Sequence, residues 1–156
     1  MSQAREIDEA AAVEAAAVRL LAMREHSRQE IRRKLVARFN EQGLIEGVLD
    51  DLERRRYLSD ERFAEAYVSE RSRKGYGPLR IRAELSERGI AAGLSARWLD
   101  DGAFDWAEVL TEAATRKFGA EPATDLRSLA KRGRFLEQRG FPIGLVRRYL
   151  DQVRGF

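Results

Sequence analysis

Residues 35–50 read LVARFNEQGLIEGVLD, residues 85–100 read LSERGIAAGLSARWLD, and residues 136–151 read LEQRGFPIGLVRRYLD. Aligned on Arg38, Arg88 and Arg139, they share one pattern, Leu-x2-Arg-x4-Gly-Leu-x3-Φ-Leu-Asp, in which Φ is Val48, Trp98 or Tyr149. Agreement at this many positions, at a period near fifty residues, marks an internal repeat. The spacing inside each copy is helical. Ile45, Val48, Leu49 and Leu52 follow i, i+3, i+4, i+7, as do Val146, Tyr149, Leu150 and Val153, and each set makes one apolar stripe. Leu49, Leu99 and Leu150 are therefore expected to be buried at equivalent places.

Working outward, a second helix precedes each stripe. Ser27-x-x-Glu30 reads as a capping box that opens the first of them. Pro78 suits the first turn of its counterpart, and Gly89 its stop. Gly140 followed by Pro142 marks another stop and start. A further helix begins each copy. In the first it carries Val13, Ala17, Leu20, Leu21 and Arg24; in the third, Phe104, Trp106, Val109, Leu110 and Ala113. In the second it starts at Ser59, with Asp60 and Glu61 complementing the helix dipole, and carries Phe63, Ala64, Tyr67 and Val68. The segment 119–124, with Pro122, is the longest loop. The expectation is an all-α chain of three tandem three-helix repeats, residues 8–56, 57–101 and 102–153. Period-two alternation is missing and β-branched residues are scarce, so no strand is expected. A three-helix unit of this size buries little alone; stacked units would share a core and form an elongated, curved array.

Composition narrows the classes. No apolar run is long enough to span a membrane, and the acidic, Ala-rich start (Glu6, Asp8, Glu9) is unlike a secretory leader. Cysteine is absent, which removes disulfide and thiolate chemistry and fits a reducing cytoplasm. Charged residues make up 35 % of the 156 residues, yet the net charge is only +3. That balance is unlike a simple nucleic-acid coat protein. All the cations except Lys34, Lys74, Lys117 and Lys131 are arginine, whose planar fork suits phosphates and carboxylates.

Three stretches resemble a known family: Leu20–Leu35 (LLAMREHSRQEIRRKL), Tyr57–Arg71 (YLSDERFAEAYVSER) and Gly75–Ile90 (GYGPLRIRAELSERGI) are similar to the best-marked segments of the RecX family. The likeness runs over roughly residues 17–101. The last third follows more loosely, with Arg132 standing where the repeat has Ile31 and Ile81. The resemblance implies an all-α, non-enzymatic regulator that binds the RecA filament on DNA and inhibits strand exchange and the coprotease role of the filament in the SOS response. The chain is expected to be a monomer with no cofactor and no metal. A stand-alone nucleic-acid-binding helical array is the alternative.

The side chains carry little catalytic promise. Asp50-Asp51, Asp100-Asp101 and Asp151 recur with the repeat, as a structural ion pair would, and neither a His nor a Cys cluster accompanies them. At i, i+4, Asp50 would meet Arg54 and Asp51 would meet Arg55. His26, the lone histidine, lacks the partners of a zinc site. Gly75-Tyr76-Gly77 reads as a tight turn between helices, with Tyr76 packing between repeats or stacking on a base. Trp98 and Trp106 fall on apolar stripes. The basic clusters remain: Arg32, Arg33, Arg73, Lys74, Arg80, Arg82, Lys131, Arg132, Arg134, Arg147 and Arg148. They form either one basic stripe that meets DNA phosphates or acidic recombinase surface, or a solvated face.

Overall fold

A computed structural model describes residues 2–156. Among the described residues there are nine helices and no strand. The first repeat holds α1 (Ser2–Met23), α2 (Arg28–Val36) and α3 (Gln42–Arg54). The second holds α4 (Asp60–Arg73), α5 (Pro78–Glu87) and α6 (Ala92–Leu99), and the third α7 (Trp106–Phe118), α8 (Leu126–Gln138) and α9 (Ile143–Val153). No described helix is long and apolar enough to cross a membrane.

The helix starts follow their local sequence. At α2 the capping box closes: the Glu30 amide donates to Ser27 Oγ at 3.1 Å and the Ser27 amide to Glu30 Oε1 at 3.0 Å. Ser59 Oγ accepts from the Arg62 amide ahead of α4, and α5 begins at Pro78. Asp105 and Asp125 cap α7 and α8. Three helix ends share one Schellman geometry. In each, a residue with positive φ follows the helix: Arg56 (63°) after α3, Gly75 (87°) after α4, and Gly140 (94°) after α8. Its amide and the next one bond back to the last turn, as Arg56 does to the Glu53 carbonyl and Tyr57 to the Leu52 carbonyl, both at 3.0 Å.

The helices gather into two compact units. One comprises the chain up to Ala66 together with Arg88–Ala91; the other comprises Tyr67–Glu87 and Ala92–Phe156. The core of the first unit is Val13, Ala16 and Ala17 of α1, Ile31 and Leu35 of α2, Ile45, Leu49 and Leu52 of α3, and Leu58. In the second unit, Leu110, Ala113 and Ala114 of α7 meet Leu136 of α8, Phe141, and Val146 and Tyr149 of α9. Leu49 and Leu99 are buried as expected, but Leu150 is only half-buried, because Tyr149 beside it takes the inward place.

Within the second unit, the turn between α8 and α9 closes the start of α5. The Gly77 and Leu79 amides donate to the carbonyls of Arg139 and Gly140, at 2.7 and 3.0 Å. Backbones meet so closely that a Cβ on Gly77 would lie 2.5 Å from the Gly140 oxygen, and one on Gly140 would lie 2.5 Å from the Arg80 nitrogen. Ala123, in the loop before α8, pairs with the C-terminal segment, donating to the Val153 carbonyl and accepting from the Gly155 amide.

A candidate basic recognition surface

In the first unit, carboxylates absorb several cations. Arg28 lies among Glu46, Asp50 and Glu53 at 2.6–3.1 Å, and Arg32 also pairs with Glu46. Burial works against the charge on Arg28, but the bonds to Glu46, Glu53 and Asp50 outweigh it and raise its pKa. Hydrogen bonds from Arg32 and Arg28 bring the Glu46 carboxyl down to about 2. Asp50 therefore meets Arg28 and not Arg54, while Asp51 holds both Arg54 and Arg55. His26 is buried, with Nδ1 3.0 Å from the Arg24 carbonyl and Nε2 3.1 Å from Lys34 Nζ.

In the second unit, Arg71 makes a bidentate pair with Glu84 at 3.0 and 2.8 Å. Its guanidinium lies 3.8 Å from the centre of the Tyr76 ring, and those of Arg139 and Arg80 lie 4.3 and 4.5 Å from it. Cations thus crowd the Tyr76 ring, which leaves it badly placed to stack on a base. Trp106 stacks on Phe104 and donates to the Leu99 carbonyl at 3.1 Å. The half-buried Trp98 indole finds no hydrogen-bond acceptor among the described residues, and nothing in the structure explains why.

The expected basic residues divide into three groups. Arg32, Lys74, Arg80 and Arg82 are paired with Glu46, Glu70, Glu84 and Asp100. Arg33, Arg73, Lys131, Arg134, Arg147 and Arg148 are exposed, and none forms an ion pair among the described residues. Arg132 is a correction, for it does not face solvent. It is 7 % exposed, donates to the Tyr149 hydroxyl and the Glu121 carbonyl, and lies over the Phe118 ring. It holds the inward position that isoleucine holds in the other repeats.

Sequence reasoning passed over three cations. Arg116, Lys117 and Arg139 join Lys74, Ala113 and Phe135 around an open pocket of about 230 Å³. Arg116 donates to the Arg73 carbonyl at 2.9 Å, and Arg139 to the Lys74 carbonyl at 3.1 Å, where the end of α4 leaves carbonyls unpaired. The Arg116-Lys117 pair in the last turn of α7 was visible in the sequence, but its meeting with Lys74 was not.

Three family models, described as the first, second and third three-helix domains of RecX, match residues 14–52, 59–97 and 105–150 in order. The chain is 44 % identical over 144 residues to the Regulatory protein RecX of Ectopseudomonas mendocina, covering 92 % of this chain and 96 % of that one. It is 40 % identical to that of Halorhodospira halophila, over 94 % and 90 %. Among solved structures it superposes on RecX from Lactobacillus salivarius with a TM-score of 0.74 at 18 % identity, covering 94 % and 97 % of the chains. That likeness concerns the fold.

Proposed function

The chain belongs to the RecX family, and from that premise we propose that it binds a RecA-type recombinase filament on DNA and inhibits its recombination and coprotease activities. The reading rests above all on three RecX domains matched in order along one chain, with relatives named as regulatory proteins over nearly their whole length. DNA repair and the SOS response are then the setting, and the cytoplasm the compartment. The repeats, 8–56, 57–101 and 102–153, act together as a monomer without a metal or cofactor of its own. A body that touches several protomers gains affinity through effective concentration, and so binds free recombinase more weakly. The cations Arg33, Arg73, Lys131, Arg134, Arg147 and Arg148 are the residues best placed to meet phosphates or acidic protomer surface, since no carboxylate among the described residues pairs with them.

The test is a preformed recombinase filament on labelled DNA. Binding is followed by anisotropy, and strand exchange and repressor cleavage are measured in parallel. Saturable binding, with inhibition of both activities at stoichiometry with filament sites, supports the proposal. Unchanged strand exchange at saturating protein would overturn it.

A further inference from the structure

The pocket between α4, α7 and α8 in the second unit is unlike the other basic clusters. Four of its six lining residues are cations, Lys74, Arg116, Lys117 and Arg139, and none is acidic. Among the described residues, the one carboxylate that pairs with them is Glu70, which meets Lys74 at 3.0 Å on a face where both are more than half exposed. Part of the charge has a structural use, because Arg116 and Arg139 each give a hydrogen bond to a carbonyl at the end of α4. A guanidinium carries five N–H groups, so each keeps donors to spare, and those backbone bonds hold the forks in place. Lys117 Nζ sits 5.7 Å from the Phe135 ring centre and Arg139 Cζ 4.9 Å from it, so both cations flank an aromatic floor. Like charges gathered in one concavity repel each other, and a bound anion would relieve that repulsion.

We infer that this pocket takes a phosphate group of a nucleic-acid strand. A single carboxylate would leave the cations beyond the pocket unused, whereas a strand places one phosphate in the pocket and further phosphates along the charge that leads from it. Lys131 lies one turn before Phe135 on α8 and Arg127 one turn before that, both exposed, so positive charge continues along the helix as a linear polyanion requires. The inference rests on the filament reading only in supposing that a DNA strand comes within reach, and it is tested without recombinase.

The probe is a labelled single-stranded oligodeoxynucleotide, titrated at several salt concentrations. The Lys74→Glu/Lys117→Glu variant leaves both carbonyl-bound arginines in place, and melting checks its fold. The control, Arg5→Glu/Arg19→Glu, makes the same change in net charge on exposed positions of α1. The pocket variant is expected to lose affinity about tenfold or more and to flatten the salt slope by about 0.7, the share of one phosphate on a single strand. Lys74→Arg/Lys117→Arg should retain binding, and the α1 control should change it less. Equal losses in the pocket variant and the α1 control would mean diffuse charge and overturn the inference, as would no binding by the parent. Loss of polyglutamate binding with oligonucleotide binding intact would assign the pocket to an acidic protein instead. Filament inhibition, measured separately on the pocket variant, shows whether the regulatory reading stands when the pocket fails.

Discussion

At the scale of single residues, three positions carry testable energetics. Arg56 holds a positive φ of 63° at a place where α4 and α8 use glycine. A Cβ in that region costs about 1–2 kcal/mol, partly offset by the greater freedom of glycine when unfolded. Arg56→Gly is therefore expected to stabilise the protein by about 0.5–1 kcal/mol in chemical denaturation. Leu49 is fully buried whereas Leu150 is half-buried. Leu49→Ala should cost about 2–5 kcal/mol and Leu150→Ala clearly less; equal costs would mean that the repeats pack alike after all. His26 gains its proton at lower pH than an unperturbed histidine. Burial, aided by the charges of Arg24 and Lys34, outweighs the bond to the Arg24 carbonyl and holds its pKa below 6.5. The folded state favours the neutral ring, so this stability is full above pH 6.5 and is lost as pH falls below it. Melting temperature should decline on acidification through that window in the parent and stay flatter in His26→Gln. The contribution of Glu46 is lost later, below 4.5 and toward 2, while Asp60, raised by burial, acts in the opposite sense.

At the scale of elements, the turn between α8 and α9 is the most constrained. Gly140 combines a φ of 94° with a backbone approach to Arg80, and its carbonyl accepts the Leu79 amide. Gly140→Ala must either push α5 away or abandon the Schellman turn, so it is expected to cost about 2 kcal/mol or more. Gly144→Ala, inside α9 with nothing within 4 Å of the added Cβ, should be neutral or stabilising by up to about 1 kcal/mol. Denaturation midpoints of the two variants compare a crowded glycine with an open one four residues away. The open places at Gly43, Gly93 and Gly144 also show that the glycine of the repeat is not demanded by crowding or by positive φ; the structure supplies no reason for it.

At the scale of the whole molecule, the proposed regulator should bind through charge that the fold leaves uncommitted. Lys131→Glu, Arg134→Glu, Arg147→Glu and Arg148→Glu combined should weaken filament binding far more than any one of them, since an exposed pair is worth only about 0–1 kcal/mol. The deficit should narrow as salt rises, because screening acts over about 8 Å at physiological ionic strength. Melting should hardly change, since these side chains form no ion pair among the described residues. Anisotropy with the preformed filament at two salt concentrations measures both effects, and undiminished binding would place the recognition surface on other residues. The sequence alone determined the helices, their caps and their threefold repetition, because the 3.6-residue period, Ser27, Ser59, Pro78 and Gly140 act within a turn or two of themselves. The eleven basic residues were legible as a population but not as a surface. Tertiary structure decided that Arg28 and Arg32 share Glu46, that Arg132 lies inside against Tyr149 and Phe118, and that Lys74 meets Arg116, Lys117 and Arg139. A guanidinium can donate to a carboxylate or a carbonyl, or lie on an aromatic face. Which one it finds depends on groups many residues away, and only packing brings them within reach.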